Sequence, residues 1–380
     1  MTTITIRATD TPAERKGFIR AAARVYENDP HYVAPLEFEV SQRINPETNA
    51  LLKDAPHRLW IAEKDGAPVG RISAIKNPLH NDRHGENAVH FGFLDAIDDS
   101  DVFDALFDTA EDWARTEKAD RVSGPFSFSV NEECGLLVDG FDTPPYVMMP
   151  HGRPWYQKHL ERRGYAKAHD MHALHWHNRK DFIPERRRRF VEKVLDDPRV
   201  EIRNLNFKTF KSDIRTLVDI YNNAWSDNWG FSPFTDAQAA TMASELRPII
   251  TRGNVVLCYV NGEPAAFGLV LPNVNEAIKD FGGKLAPLNW AKLIWRLKIK
   301  GLKTARMPLM GVIKKFQGKP LGAAFAYKII DLVNSYNIDH GLEASELSWI
   351  LESNDSMLNM LTDMGCKIYK TYRIYEKPLA

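Results

Sequence analysis

Gln317-Gly318-Lys319-Pro320-Leu321-Gly322 stands directly ahead of an apolar helical pattern, AAFAYKIID. Two glycines, a lysine and a helix start are what a phosphate cradle requires. Backbone N–H groups at a helix N-terminus point outward unpaired, and the helix dipole favours an anion there. A plainer reading is an ordinary turn with Pro320 at the first helical position. The surroundings favour the anion. Residues 281–330 hold eleven Lys and Arg and no Asp or Glu, in a chain with 50 of each overall. Lys314, Lys315 and Lys319 flank the turn. A matching turn earlier in the chain, DAIDDSDVFDALF, carries Asp95, Asp98, Asp99 and Asp101 and no glycine. Carboxylates there would repel a phosphate by about 1 kcal/mol or more per close pair; they suit helix capping instead.

The elements that must hold this turn occur twice. RLWIAEKDGAPVGRISAI (58–75) and NVVLCYVNGEPAAFGLVL (254–271) are both strand, turn, strand, with Asp65-Gly66 and Asn261-Gly262 as hairpin signals and Pro68 and Pro264 in matching places. A second pair, from His159 and from Met360, reads helix, glycine stop (Gly164, Gly365), strand. Repeats about 200 residues apart predict two similar α/β domains: 1–180, a linker helix over 181–199, and 200–380, each a mixed β-sheet flanked by helices. Strands are expected near 3–8, 58–64, 69–76, 88–95, 120–123 and 168–177, then 200–205, 254–260, 265–271, 308–313, 339–345 and 367–376. Helices are expected near 12–27, 101–117 and 153–163, then 210–224, 236–248, 321–336 and 355–364. Arg186–Arg189 in the linker read as a solvated helical face.

Net charge is zero, so any electrostatic signal is local. Cys134, Cys258 and Cys366 form no CxxC pair, which fits a reducing compartment. The start MTTITIRATD has no signal-peptide pattern, and no apolar run approaches 18 residues. A cytoplasmic protein is expected. His169, His172, His175 and His177 cluster without a completing cysteine, so no metal is expected. No GxSxG, Walker A, HExxH or dinucleotide-binding signature appears.

The order strand, glycine turn, helix, strand, then a helix opened by Asn resembles the GNAT acyltransferase superfamily. Gln317-x-x-Pro320-x-Gly322 is similar to its acyl-CoA motif, Gln/Arg-x-x-Gly-x-Gly/Ala, with Pro320 in place of the middle glycine. ESNDSMLNMLTDMGCK supplies Asn354 and Gly365 of the second motif. The resemblance covers the C-terminal half directly and the N-terminal half through the repeat. It implies acyl-CoA as co-substrate, held at Val312, Lys314, Gln317, Gly318, Lys319, Leu321, Gly322 and Asn354, and an amine acceptor. It also implies a degenerate N-terminal copy that shapes an acceptor pocket or supports the fold. The end of strand 308–313, near Val312, would supply the thioester's backbone donor, with Gly311 allowing a bulge. Leu361 stands where many members carry a tyrosine that protonates the leaving thiolate; Tyr369 or water would have to serve instead.

Attack by an amine needs a proton acceptor. Glu346 is the first candidate, expected just past a strand end, with Glu343 and His340 as alternatives. Asn228, Trp229 and Phe231 lie in the loop that borders the acceptor in the family, and 131–150 is a long apolar loop suited to an acceptor channel. Between hairpin and phosphate strand, PLNWAKLIWRLKIKGLKTARM places Trp290, Leu293, Ile294 and Leu297 on one helical face with Lys292, Arg296 and Lys300 around it. That suits an anionic bilayer surface, peripheral at the inner membrane; a structural helix is the alternative. The whole plan resembles the bacterial ceramide synthase type of GNAT protein, which joins a long-chain acyl group to the amine of a sphingoid base. An acetyltransferase for a small amine or protein lysine, and an inactive acyl-CoA- or lipid-binding module, are the other readings. Nothing points to nucleic acid.

Overall fold

The computed structural model describes residues 3–379. Strands in the first half are β1 (Ile4–Ala8), β2 (His57–Lys64), β3 (Ala67–Ile75), β4 (Ala88–Ala96), β5 (Arg121–Gly124), β6 (Leu136–Asp139) and β7 (Ala166–His177). Those of the second are β8 (Val200–Asn204), β9 (Val255–Val260), β10 (Glu263–Pro272), β11 (Thr304–Val312), β12 (Ala344–Leu351) and β13 (Lys367–Pro378). The chain divides into two compact units. The first comprises Met1–Met171, Ile278–Trp290 and Lys370–Ala380; the second comprises His172–Ala277 and Ala291–Tyr369.

In the first unit β1–β2–β3–β4 run antiparallel and β4–β5 parallel, with the end of β13 antiparallel to β5. The second unit repeats the plan: β8–β9–β10–β11 antiparallel, β11–β12 parallel. Both are mixed sheets flanked by helices. The repeat extends to fine detail. Asp65 and Gly66 (φ 52° and 77°) and Asn261 and Gly262 (φ 53° and 76°) take the left-handed pairs that two-residue hairpins need. Each hairpin also has a register shift beside its proline, where Glu63 faces Pro68 and Tyr259 faces Pro264.

Amphipathic spacing builds each core. Asp99 caps the helix Ser100–Thr116, accepting from the Asp101 amide, and Val102, Phe103, Leu106, Phe107 and Ala110 line its buried stripe. The helix Pro320–Asp339 buries Ala324, Phe325, Ile329, Ile330 and Val333 in the second unit's core. Its close approach to β10 depends on Gly268, where a Cβ would meet Ile329 Cγ2 at 2.3 Å.

Several expectations shift. The strand expected at 339–345 lies at 344–351, because the preceding helix runs to Asp339 and stops only at Gly341, in the left-handed region at φ 76°. Helices Glu37–Arg43, Ala50–Asp54 and Pro78–His84, and strand β6, were not expected. The linker helix is Glu185–Leu195 and is not simply solvated: Val191 is buried, Arg187 bonds the Tyr327 hydroxyl and pairs with Asp363 at 2.6 Å. Asp95 caps nothing. It is buried, 2.7 Å from Arg71 Nε, and accepts from the Tyr26 hydroxyl at 2.6 Å.

Candidate active site

β11 and β12 pair in parallel only from Thr304↔Ala344 to Met307↔Leu347. The next residue of β11 is Pro308, which has no N–H to give the ladder. Against β10, a register shift falls across the same stretch, between Leu309 and Arg306. Beyond Met307 and Leu347 the two strands therefore run on without pairing. The bulge sits here and not at Gly311, whose missing side chain instead admits Phe267 (Cε1 2.8 Å from a built Cβ) and Ala224 (3.2 Å).

β11 then leads into the proposed cradle. A short 3₁₀ turn, Lys314–Phe316, comes after Ile313. Gln317 Nε2 donates to the Val312 carbonyl at 2.8 Å and to the Ala224 carbonyl at 2.9 Å, tying the strand end to the helix Phe210–Ala224. Gly318 takes φ 68°, and Lys319 is the N-cap with Pro320 at the first helical position. Among the described residues no side chain caps this helix. The amides of Leu321 and Gly322 lie in the first turn of this helix, where N–H groups have no partner within the helix. A Cβ on Gly322 would sit 2.2 Å from the Phe316 carbonyl oxygen, so only glycine lets the turn fold this tightly onto the helix. Lys314 and Lys315 bring less free charge than expected: Lys314 pairs with Asp227 at 2.6 Å and Lys315 approaches Glu263 at 3.9 Å. Both are exposed pairs of small energy.

Glu346 is not past a strand end. It lies within β12, opposite Arg306, one pair before the strands part. It is 0% exposed and Arg306 1%. Its Oε1 accepts from Ser348 Oγ at 2.6 Å and is 3.6 Å from Arg306 Nε, which itself donates to Ser348 Oγ at 2.8 Å. Its Oε2 accepts from the Tyr369 hydroxyl. Beside Tyr369 stands His175, ring centroids 5.6 Å apart and edge-on. Burial first, then the neighbouring His177, hold the His175 imidazole below the usual histidine range. His340 and Glu343 are at the other end of β12. His340 stacks on Tyr336 and bonds its carbonyl at 2.8 Å; Glu343, exposed, pairs with Lys303 at 2.7 Å.

Asn354 caps the helix Asp355–Asp363 by accepting from the Met357 amide. Leu361 is 1% exposed and part of the core. In the loop after Ala224, Phe231 is buried on Tyr221 and Trp229 is exposed. Trp225, which sequence reasoning passed over, carries that loop to the part of β11 that no longer pairs with β12 by donating to the Met310 carbonyl at 3.1 Å.

The basic amphipathic segment is an α-helix only over Asn289–Trp295, then widens to a π turn over Arg296–Lys300. The wider turn rotates the later side chains about the helix axis. Trp290 and Ile294 are 55% and 53% exposed, whereas Leu293 and Leu297 are half-buried and Trp295 and Ile299 are exposed in their stead. Arg296 faces inward, donating to the Ala277 carbonyl at 2.6 Å. Among the described residues no helix is long and apolar enough to cross a membrane, and no group of three or more His, Cys, Asp and Glu could hold a metal ion.

Solved structures carry this fold. A tandem GNAT protein from the clavulanic acid biosynthesis pathway superposes with a TM-score of 0.57 at 13% identity, over 100% of this chain and 98% of that one. A GCN5-related N-acetyltransferase from Sphaerobacter thermophilus gives 0.53 at 13%, over 99% and 95%. No protein-family model matches the chain. Protein YghO of Escherichia coli is 42% identical over 371 residues, 96% of this chain and 93% of that protein. The Bacterial ceramide synthase of Caulobacter vibrioides is 43% identical over 370 residues, 97% and 96% respectively. The chain belongs to the bacterial ceramide synthase family. Membership in the bacterial ceramide synthase family, on a tandem GNAT fold, makes it an acyltransferase. Within that family frame, the signals sequence reading missed were a proline inside a strand and two opposite charges, Arg306 and Glu346, at inward positions of otherwise apolar strands.

Proposed function

We propose that the enzyme transfers a long-chain acyl group from a coenzyme A thioester to the amine of a sphingoid-type base, giving an N-acyl product of the ceramide kind. Full-length identity of 43% to the Caulobacter enzyme carries the reading. The geometry supports it. The uncapped helix start with Gly318, Lys319, Leu321 and Gly322 would take the coenzyme's phosphates. The end of β11, to Val312, stays paired with β10 but not with β12, so its edge toward β12 offers backbone donors for the thioester oxygen. Glu346 is the ultimate acceptor of the amine proton. Asn228, Trp229 and Phe231 border the acceptor, and Asn354 holds the end of β12 to its helix.

Among the described residues the first unit holds no second cradle. Its β4 and β5 pair only from Ala88↔Arg121 to His90↔Ser123, but the gap beyond is closed. Phe126 donates its amide to the Phe91 carbonyl at 2.7 Å, and a Cβ on Gly92 would meet the Phe126 oxygen at 1.9 Å.

Purified enzyme incubated with mixed acyl-CoAs and candidate amines, read by mass spectrometry, should form long-chain N-acyl sphingoid bases. Lys319→Glu should weaken acyl-CoA binding about tenfold or more, because it places a carboxylate at a phosphate-binding helix start. Unchanged affinity would remove the cradle; acetylation of small amines only would replace the lipid acceptor.

A lipid amine must be reached at a bilayer. Exposed Ile294, Trp295 and Ile299, with Lys292, Lys298 and Lys300 among them, suit an anionic surface at the inner membrane. Each basic residue near such a surface adds about 1 kcal/mol, screened by salt. Salt-sensitive sedimentation with anionic vesicles is expected, lost in Ile294→Glu/Ile299→Glu. Equal sedimentation of both proteins would make the segment a structural helix.

A further inference from the structure

Glu346 cannot touch a substrate where it lies. It is wholly buried, one oxygen is taken by Ser348 and the other by Tyr369. Arg306 and Ser348 are buried as well. Of these four side chains Tyr369 alone is only half-buried. The one member of the array open to a reacting molecule is therefore a phenol whose proton already points at a buried carboxylate.

We propose that Tyr369 is the group that exchanges protons with the reacting atoms, with Glu346 as the proton store behind it; this rests on the acyl-transfer reading above. As the amine nitrogen bonds to the thioester carbon, it becomes cationic. Its proton passes to the Tyr369 oxygen while the phenolic proton moves to Glu346 Oε2. When the C–S bond breaks, the electron pair leaves on sulfur. Tyr369 then gives its proton to the thiolate and recovers one from Glu346. The sum is amide plus free thiol, with both residues restored.

Neither group suffices alone. A free phenol, with a pKa near 10, is a weaker acid than an alkyl thiol near 8.5, so Tyr369 by itself would protonate the thiolate uphill. Backed by a protonated carboxyl, the same transfer runs downhill. Arg306 and Ser348 keep the carboxylate in place between the two steps. The single relay also accounts for Leu361, which is apolar core and cannot act as the acid. His175 packs edge-on to the Tyr369 ring, while Glu346 Oε2 takes the hydroxyl's hydrogen bond.

Tyr369→Phe keeps the ring packing and removes only the hydroxyl. With a coenzyme A thioester its kcat should fall about 10²–10⁴-fold. Acyl-CoA affinity by calorimetry should stay within about threefold, since no cradle residue is touched. Adding Glu346→Gln should cost little more, because two members of one relay do not add. An acyl aryl thioester, whose more acidic thiol leaves without protonation, should recover at least about tenfold of the loss relative to wild type. Equal losses with both donors, or losses that multiply in the double variant, would overturn the relay and leave Tyr369 a packing residue. Wild-type turnover in Tyr369→Phe would also overturn it, while leaving acyl transfer intact. A wild-type enzyme that binds acyl-CoA but acylates no amine would overturn the underlying reading and the relay with it.

Discussion

Glu346→Gln lowers kcat by about 10²–10⁴-fold while acyl-CoA still binds, the size of effect expected when a positioned proton acceptor is lost. The glutamine amide retains an oxygen for the Ser348 hydroxyl, so the site keeps its shape. What it loses is the capacity to store a proton. The cradle that would bind the coenzyme is built from Val312 to Gly322 on other elements, and none of those residues contacts Glu346 in the bonds that define the turn. Affinity and turnover should separate. Steady-state kinetics and calorimetry on the same preparation check this. Near-normal turnover across pH 6–9 would place the proton acceptor elsewhere, with water as the first alternative.

Arg306→Met is expected to be the more damaging to the fold. Breaking a buried ion pair by removing one partner costs about 3–5 kcal/mol, because the remaining charge is stranded without water. The Ser348 and Tyr369 hydroxyls would still donate hydrogen bonds to Glu346 but bring no positive charge. The guanidinium also lies 4.9 Å from the centre of the Trp349 ring, a contact methionine replaces only in part. Arg306→Met/Glu346→Gln should regain much of the loss, since no unpaired charge stays buried. Denaturant midpoints for the single and double variants decide the matter. A single variant as stable as wild type would mean that Glu346 is uncharged in the folded protein.

The elements that periodicity and turn chemistry control were legible in the sequence. The Asp65-Gly66 and Asn261-Gly262 hairpins fall where expected, and so do the Phe210–Ala224 helix and the start of the Pro320 helix. The position of β12 was misread because the helix was ended before Asn337, although the glycine stop in SYNIDHGLEAS is Gly341, where the helix does end. That shift altered the picture of Glu346, from a strand-end carboxylate to a buried ion pair. Arg306 and Glu346 are 40 residues apart and meet only through strand register. Tyr369 reaches the pair from another strand again. Such meetings arise from sheet order, which local patterns do not encode. The turn at Gln317–Gly322 was legible as a glycine-bearing helix start. Gln317 ties two carbonyls together, a contact that needed the strand end beside it to be seen.

β7 and β13 are each divided, the first after Met171 and the second after Tyr369, with their halves assigned to different compact units. The last eleven residues of the chain thus complete the unit begun by the first, and the second unit takes in the closing residues of the first repeat. An ancestral duplication would have yielded two self-sufficient copies. In this chain neither copy owns all of its strands. A cut between the repeats would leave each unit short of strand residues supplied by the other repeat, so the duplication cannot be undone by deleting one half.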